Sequence, residues 1–156
     1  MALPEKDFLK KLKKMDFSEK ELLSLNKRSL FRVLRKFPVT NVKFGRKRIS
    51  FTYLGQKISD KILVEWVPHV GEWSRKRKEV IIDSLIEKKH FKKHFHSLCV
   101  HEAVEKFIAQ KFHLNTDKEA HPIAKFKEKQ YMKSIGGNWR SHEMIVYWDW
   151  KKRGEH

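Results

Sequence analysis

Residues 101 to 128, HEAVEKFIAQKFHLNTDKEAHPIAKFKE, place histidines and glutamates where apolar side chains are due. At about 100° per residue around a helix, Leu98, His101, Val104, Glu105, Ile108 and Phe112 share one stripe roughly 120° wide. A second stripe of similar width holds Ala120, His121, Ala124, Glu128, Tyr131 and Ile135, after a start signal in which Thr116 and Glu119 form a capping box. If both stripes face one core, four ionisable groups converge from two adjacent helices. An unpaired buried carboxylate is strongly destabilising or takes up a proton, and a metal ion removes that cost by supplying the opposite charge. Imidazole and carboxylate together suit zinc, iron or manganese, and the i, i+4 spacing lets His101 and Glu105 reach one ion. One divalent transition metal is therefore expected on His101, Glu105, His121 and Glu128, zinc first, with iron or manganese as alternatives. The bland alternative is a hydrogen bond between His121 and Glu128 and a lysine reaching in to Glu105.

The segment also resembles the active-site region of zincin metallopeptidases: a short strand (EVIID), a linker, then a helix carrying His-Glu. Where that family has H-E-x-x-H, this chain has His101-Glu102-Ala103-Val104-Glu105, with glutamate in place of the second histidine. The resemblance spans Glu79 to Glu128. It implies His101 as first ligand, Glu102 as the general base that takes a proton from water, Glu105 as second ligand and His121 as third. Glu128 would then be a fourth ligand or a partner orienting His121. A carboxylate in place of an imidazole lowers the net charge at the ion and makes it a poorer Lewis acid. The implied function is a metal-dependent hydrolase acting on a peptide or protein substrate. The alternative is a non-catalytic, metal-stabilised binding module with a basic nucleic-acid-binding surface.

The elements around this unit are legible in outline. Ser18 and Glu21 form a capping box that starts a helix expected to run to about Lys36, where Pro38 follows. VTNVKF, RISFTYL and KILVEWV are β-branched and aromatic runs separated by Gly45-Arg46-Lys47 and Gly55-Gln56, which predicts an antiparallel meander. PHVGEWSRKRKE, residues 68 to 79, reads as an exposed loop. In it Arg75, Lys76, Arg77 and Lys78 form the densest cationic run, and with Trp73 they are candidates for contacting a phosphate backbone and a stacked base. EVIID reads as a strand and, after Gly136-Gly137, EMIVYWDW as a last strand. Pro122 lies near the first turn of the second helix, where it is expected to bend the helix and re-aim His121. His90, His94, His96 and His113 stand among lysines and read as surface residues. Trp139, Arg140, His142 and Glu143 are placed near the site, although His142-Glu143 lacks a ligand four residues on, where Val146 stands.

The expected fold is α+β: a small antiparallel sheet, an N-terminal helix and a two-helix metal-binding unit, in a single domain of 156 residues whose first 16 form a loose basic arm. Hydrophobic residues make up 40% of the chain and aromatic residues 12%, too much for a disordered chain even at 35% charged. The 36 Lys and Arg against 19 Asp and Glu give a net charge of +17, a field that attracts polyanions such as nucleic acid. Lysine-rich surfaces also serve solubility alone. The lone Cys99 excludes an intramolecular disulfide and a cysteine-based zinc cluster. No segment reads as a signal peptide or a membrane span, so a cytoplasmic location is expected.

Overall fold

The computed structural model describes residues 17–89 and 92–153, Lys88 and Lys89 by their backbone alone, together with Asp7, Lys10, Lys11 and Lys14. His90 and, those four residues apart, the arm expected over residues 1–16 lie outside the described residues. The fold is α+β, with six helices and one five-stranded sheet among the described residues. No helix among them is long and apolar enough to cross a membrane.

The chain enters through α1 (Glu19–Ser24) and α2 (Lys27–Lys36), two helices where one was expected. Ser18 caps the first, but Asn26 interrupts it: its side chain accepts the Ser29 N–H at 2.9 Å and starts a new helix. The C-terminal end of α2 is satisfied from afar, because the buried Lys127 ammonium donates to the carbonyls of Arg35 (2.8 Å) and Phe37.

Strands β1 (Thr40–Gly45), β2 (Arg48–Tyr53) and β3 (Gln56–Glu65) form the expected meander. Leu54 and Gly55 both adopt positive φ, as a two-residue turn matching the strand twist requires. The chain then makes an excursion. Strand β5 (Glu79–Asp83) returns parallel to β3, and β4 (Gly71–Trp73) pairs antiparallel with β5 at the sheet edge, giving the order β1-β2-β3-β5-β4. The segment read as a loop thus contains the edge strand β4, three residues being too few for an alternating pattern to register.

Along β2, Ile49, Phe51 and Tyr53 are buried while Arg48, Ser50 and Thr52 are more accessible, the period of two that a sheet covered on one face produces. The covered face packs on α4 (Lys92–Phe112), which follows the short α3 (Ser84–Lys89). From Ser97 to Lys106 every residue of α4 is buried, so this helix is enclosed on all sides. Lys106 is accommodated by donating its ammonium to the Ser74 carbonyl. The helix ends where His113 turns left-handed and the Leu114 N–H bonds back to the Ala109 carbonyl at 3.1 Å.

Helices α5 (His121–Ser134) and α6 (Trp139–Arg153) complete the fold. EMIVYWDW belongs to α6, not to a strand as its β-branched and aromatic content had suggested. Its covered residues, His142, Ile145, Val146, Asp149, Trp150 and Arg153, recur at helical spacing, and Asn138 caps the helix by accepting the Ser141 N–H at 2.9 Å.

Helix α6 is tied to the sheet through a buried pair of carboxyls. Arg153 donates to both oxygens of Asp83 (3.1 and 2.9 Å), the Val67 N–H donates to Asp83 as well, and Asp149 hydrogen-bonds Asp83 from α6. Burial, reinforced by that hydrogen bond and the Asp83 charge and opposed by Arg153 and Lys152, pushes Asp149 up to about 7. Asp149 therefore keeps a proton in the folded chain between about pH 4 and 7, where an unfolded aspartate has lost it. Its contribution to stability is full below about pH 4 and is lost as the pH rises through about 7. Thermal melts should show Asp149→Asn raising the melting temperature by a few degrees near pH 8 and leaving it nearly unchanged near pH 4; an equal shift at both would contradict this account.

Candidate metal centre

Helices α4 and α5 lie side by side and bring His101, Glu105 and His121 to one point. The His101 Nε2 is 3.0 Å from Glu105 Oε2 and 3.1 Å from His121 Nδ1, and the last two atoms are 3.0 Å apart. His101 and Glu105 are buried, whereas the His121 side chain is about half exposed. Two imidazole nitrogens and a carboxylate oxygen this close together are donors that zinc, iron and manganese accept. The triangle can hold a metal ion.

The local fold explains why His121 arrives there. Residues Thr116–Ala120 form a π-helical turn in which the His121 N–H reaches back to the Thr116 carbonyl, five residues earlier. Asn115, and not Thr116, is the cap, accepting the Lys118 N–H at 2.8 Å while Glu119 accepts the Asn115 N–H at 2.8 Å. Pro122 has no N–H to offer the carbonyl four residues back, and the wider turn absorbs that defect before α5 begins.

Glu128 stands behind the triangle. The His101 Nδ1–H donates to Glu128 Oε1 at 2.7 Å, and His142 Nε2 donates to Glu128 Oε2. Beyond it, the Nδ1 atoms of His142 and His94 face each other at 3.0 Å, so one of them carries the proton between them. Glu128, His142 and His94 are all buried. A histidine that gives its Nδ1 proton to a carboxylate presents the Nε2 lone pair to whatever binds on its other side. Glu128 orients His101, where a fourth ligand or a partner to His121 was expected.

The electrostatics show how tightly these charges are coupled. Burial alone would pull the His101 pKa down, but hydrogen bonds with Glu105 and Glu128 outweigh it and leave it well above the ordinary histidine value. Burial pushes Glu105 and Glu128 up, yet the bonds from His101 and His121 to the first, and from His101 and His142 to the second, bring each to about 2. Glu105 is held also by the Trp73 indole N–H, 3.0 Å from its Oε1. Trp73 is thus part of this site. Lys106 and Arg75 lie 5.4 and 5.7 Å from its ring centroid. Lys76, Arg77 and Lys78 are exposed, away from the triangle.

Glu102 differs from its neighbours. It is buried, its Oε2 is 4.0 Å from His101 Nε2, and it has no hydrogen-bond partner among the described residues. Burial pushes its carboxyl up to about 8, the His101 charge opposing and those of Glu105, Glu128 and Glu72 adding to the rise. Strand β4 passes directly over it. A Cβ on Gly71 would lie 3.1 Å from Glu102 Cγ, so glycine is what permits the close approach. The preceding Val70 holds φ at 71°, a conformation that strains a β-branched residue by about 1–3 kcal/mol and tends to be kept at functional sites.

These groups form the floor of a cleft of about 970 Å³. One wall is residues 69–73 with β4; the other is α6, through Trp139, Val146, Tyr147 and Trp150. Glu143 lines it too and pairs with Lys125 at 3.7 Å, whereas Arg140 is exposed elsewhere. His94 is the residue sequence reasoning placed wrongly, at the surface, although it continues the α4 stripe upstream (94, 98, 101, 105, 108), a signal that was there to read. His142 lines the cleft as expected, but its bond to Glu128 was hidden by reading its helix as a strand. His96, stacked on Phe44 at 3.7 Å, is half-buried, and His113 is exposed. No family model, no curated protein and no solved structure matches this chain.

Outer partners of this kind change metal affinity by about 10–100-fold. His142→Ala should weaken zinc binding by that much in competition with a chromophoric chelator while the stoichiometry stays the same. An unchanged affinity would show that the chain behind His101 is packing alone.

Proposed function

We propose that the protein is a metal-dependent hydrolase that cleaves peptide bonds, with zinc held by His101, Glu105 and His121 and with Glu102 as the general base. The observation that carries this reading is the division of labour among the buried carboxylates. Glu105 belongs to the ligand triangle, Glu128 has an oxygen on each of two histidines, and Glu102, with no hydrogen-bond partner among the described residues and 4.0 Å from His101 Nε2, stands beside the triangle and lines the cleft.

Two nitrogens and one carboxylate oxygen are a ligand set that catalytic zinc uses, leaving positions for water and substrate. A closed structural clasp would want a fourth protein ligand, and the natural candidate, Glu128, is engaged behind His101 instead. A zinc ion there would supply Lewis acidity, polarising a carbonyl and acidifying water. The chain's own residues do the rest. Glu102, 4.0 Å from His101 Nε2, lies where it can take the proton from the attacking water and later pass it to the leaving amine. The Glu128 bond fixes the ring of His101, and the Trp73 bond leaves Glu105 Oε2 directed into the triangle.

A peptide fits the cleft because β4 is an edge strand. Its inner edge is paired with β5, and its residues line the cleft, so an extended chain can lie along it as an added strand. Apolar side chains of such a peptide would meet Val146, Tyr147 and Trp150 on the opposite wall.

Screening zinc-loaded protein against a quenched fluorogenic peptide library tests the reading. Glu102→Gln should bind zinc as wild type does and cleave at least about 10²-fold more slowly, because the amide cannot accept the proton. A zinc-loaded Glu102→Gln protein with undiminished turnover would end the mechanism, and loss of zinc in that variant would make Glu102 a ligand.

A further inference from the structure

A second surface, independent of the cleft, is assembled where three elements meet at one end of the sheet. Register places Gly45 opposite Arg48 and Arg48 opposite Lys61, and the Ile62 N–H bonds to the Lys47 carbonyl at 2.9 Å. On the other side of β3, the Lys61 N–H bonds to the Lys78 carbonyl at 2.8 Å. The β1–β2 turn (Arg46, Lys47), the start of β2 (Arg48), the middle of β3 (Lys61) and the loop before β5 (Arg77, Lys78) are therefore backbone neighbours. All six side chains are exposed. The sequence scatters them over more than thirty positions, and only the sheet brings them together.

Their charges are answered only in part: Glu79 stands opposite Lys61 in register, and Asp60 acts on Lys78 and Arg48. Among the described residues none of the six has a carboxylate within ion-pair distance. Arg48 and Lys61 are a directly opposed cross-strand pair, an arrangement that costs stability when the charges are alike. Against them stand Glu79, half-buried, and Asp60, buried and pushed up by that burial. Hydroxyls lie between the cations: Ser50 and Ser59 face each other across β2 and β3, and Arg48 donates to the Ser59 Oγ at 3.0 Å.

We propose that this end of the sheet is a binding surface for the phosphodiester backbone of nucleic acid, held without reading base sequence. Cations with interspersed hydroxyl donors are the groups that contact phosphates, and no exposed aromatic stands among them to stack on a base. An anionic membrane is the less suitable partner. A surface that enters a bilayer interface presents apolar side chains beside its cations, and the exposed large hydrophobics, such as Trp66, Tyr147 and Trp148, belong to other parts of the chain. Two of the four loop cations expected from the sequence to bind nucleic acid, Arg77 and Lys78, thus belong to a composite patch whose other four cations come from the hairpin and β3.

Fluorescence anisotropy of a labelled random-sequence DNA duplex, titrated with the full chain over a salt series, tests the proposal. A contact through six cations should lose about 10³-fold in affinity between 50 and 200 mM salt. The combined variant Arg48→Gln, Lys61→Gln, Arg77→Gln, Lys78→Gln should bind at least about 30-fold more weakly, with the log–log salt slope reduced by about 3–4. A control with the same loss of charge elsewhere, Lys20→Gln, Lys129→Gln, Lys133→Gln, Arg140→Gln, should lose less than about threefold. If the first variant fails to fold, Arg77→Gln, Lys78→Gln alone should still lower the slope by about 2. Equal losses in patch and control variants, or no duplex binding at low salt, would overturn the proposal. So would patch-dependent binding confined to vesicles of anionic lipid.

Discussion

Three polar atoms stand about 3 Å apart where α4 meets α5, and something must lie among them. The His101 Nδ1–H donates to Glu128, and its Nε2, the Glu105 carboxylate and the His121 Nδ1 converge on one another. The space among them is taken by a proton, on His101 or on His121, or by a metal ion. The raised pKa of His101 describes the first case, in which an imidazolium shares its charge between two carboxylates. Breaking a buried ion pair on one side costs about 3–5 kcal/mol, so the group between Glu105 and Glu128 matters to the packing of α4 against α5.

The rest of the architecture serves that point. Helix α4 is enclosed from Ser97 to Lys106, so each polar residue on it needs an assigned partner: Lys106 has the Ser74 carbonyl, Glu105 has Trp73, and His101 has Glu128. Glu102 is the exception, and its side faces the cleft. The edge strand over it can come so close because residue 71 is glycine. Helix α6 closes the opposite wall and also delivers His142 to the far side of Glu128, so the chain of bonds that steadies the site reaches the last helix of the fold. The cationic end of the sheet shares none of this chemistry.

What the sequence disclosed, it disclosed through spacing. His101 and Glu105 four apart, and His121 and Glu128 on the second stripe, were legible because helical periodicity is strict. The α+β architecture and the meander were legible from runs of β-branched residues between turns. The roles within the cluster were not, since whether Glu128 faces an ion or the back of a histidine depends on how α4 and α5 cross. His94 looked like surface because lysines surround it in sequence, although it extends the α4 stripe by one more turn. α6 was mistaken for a strand because Ile, Val, Tyr and Trp favour strands, while burial of His142, Val146, Asp149 and Trp150 follows a helical period that composition does not weigh. The sheet-end patch was visible only in part: Arg77 and Lys78 end the run of cations that starts at Arg75, but Arg48 and Lys61 join them only through strand register.

His101, Glu105 and His121 can hold one metal ion. The direct measurement is elemental analysis after dialysis of tag-free protein, first stripped with chelator, against zinc. One equivalent per chain is predicted, lost in His101→Ala and in His121→Ala, the latter a half-exposed residue whose removal leaves the core intact. A wild-type chain that takes up no zinc, iron or manganese and melts at the same temperature with and without them would contradict the account.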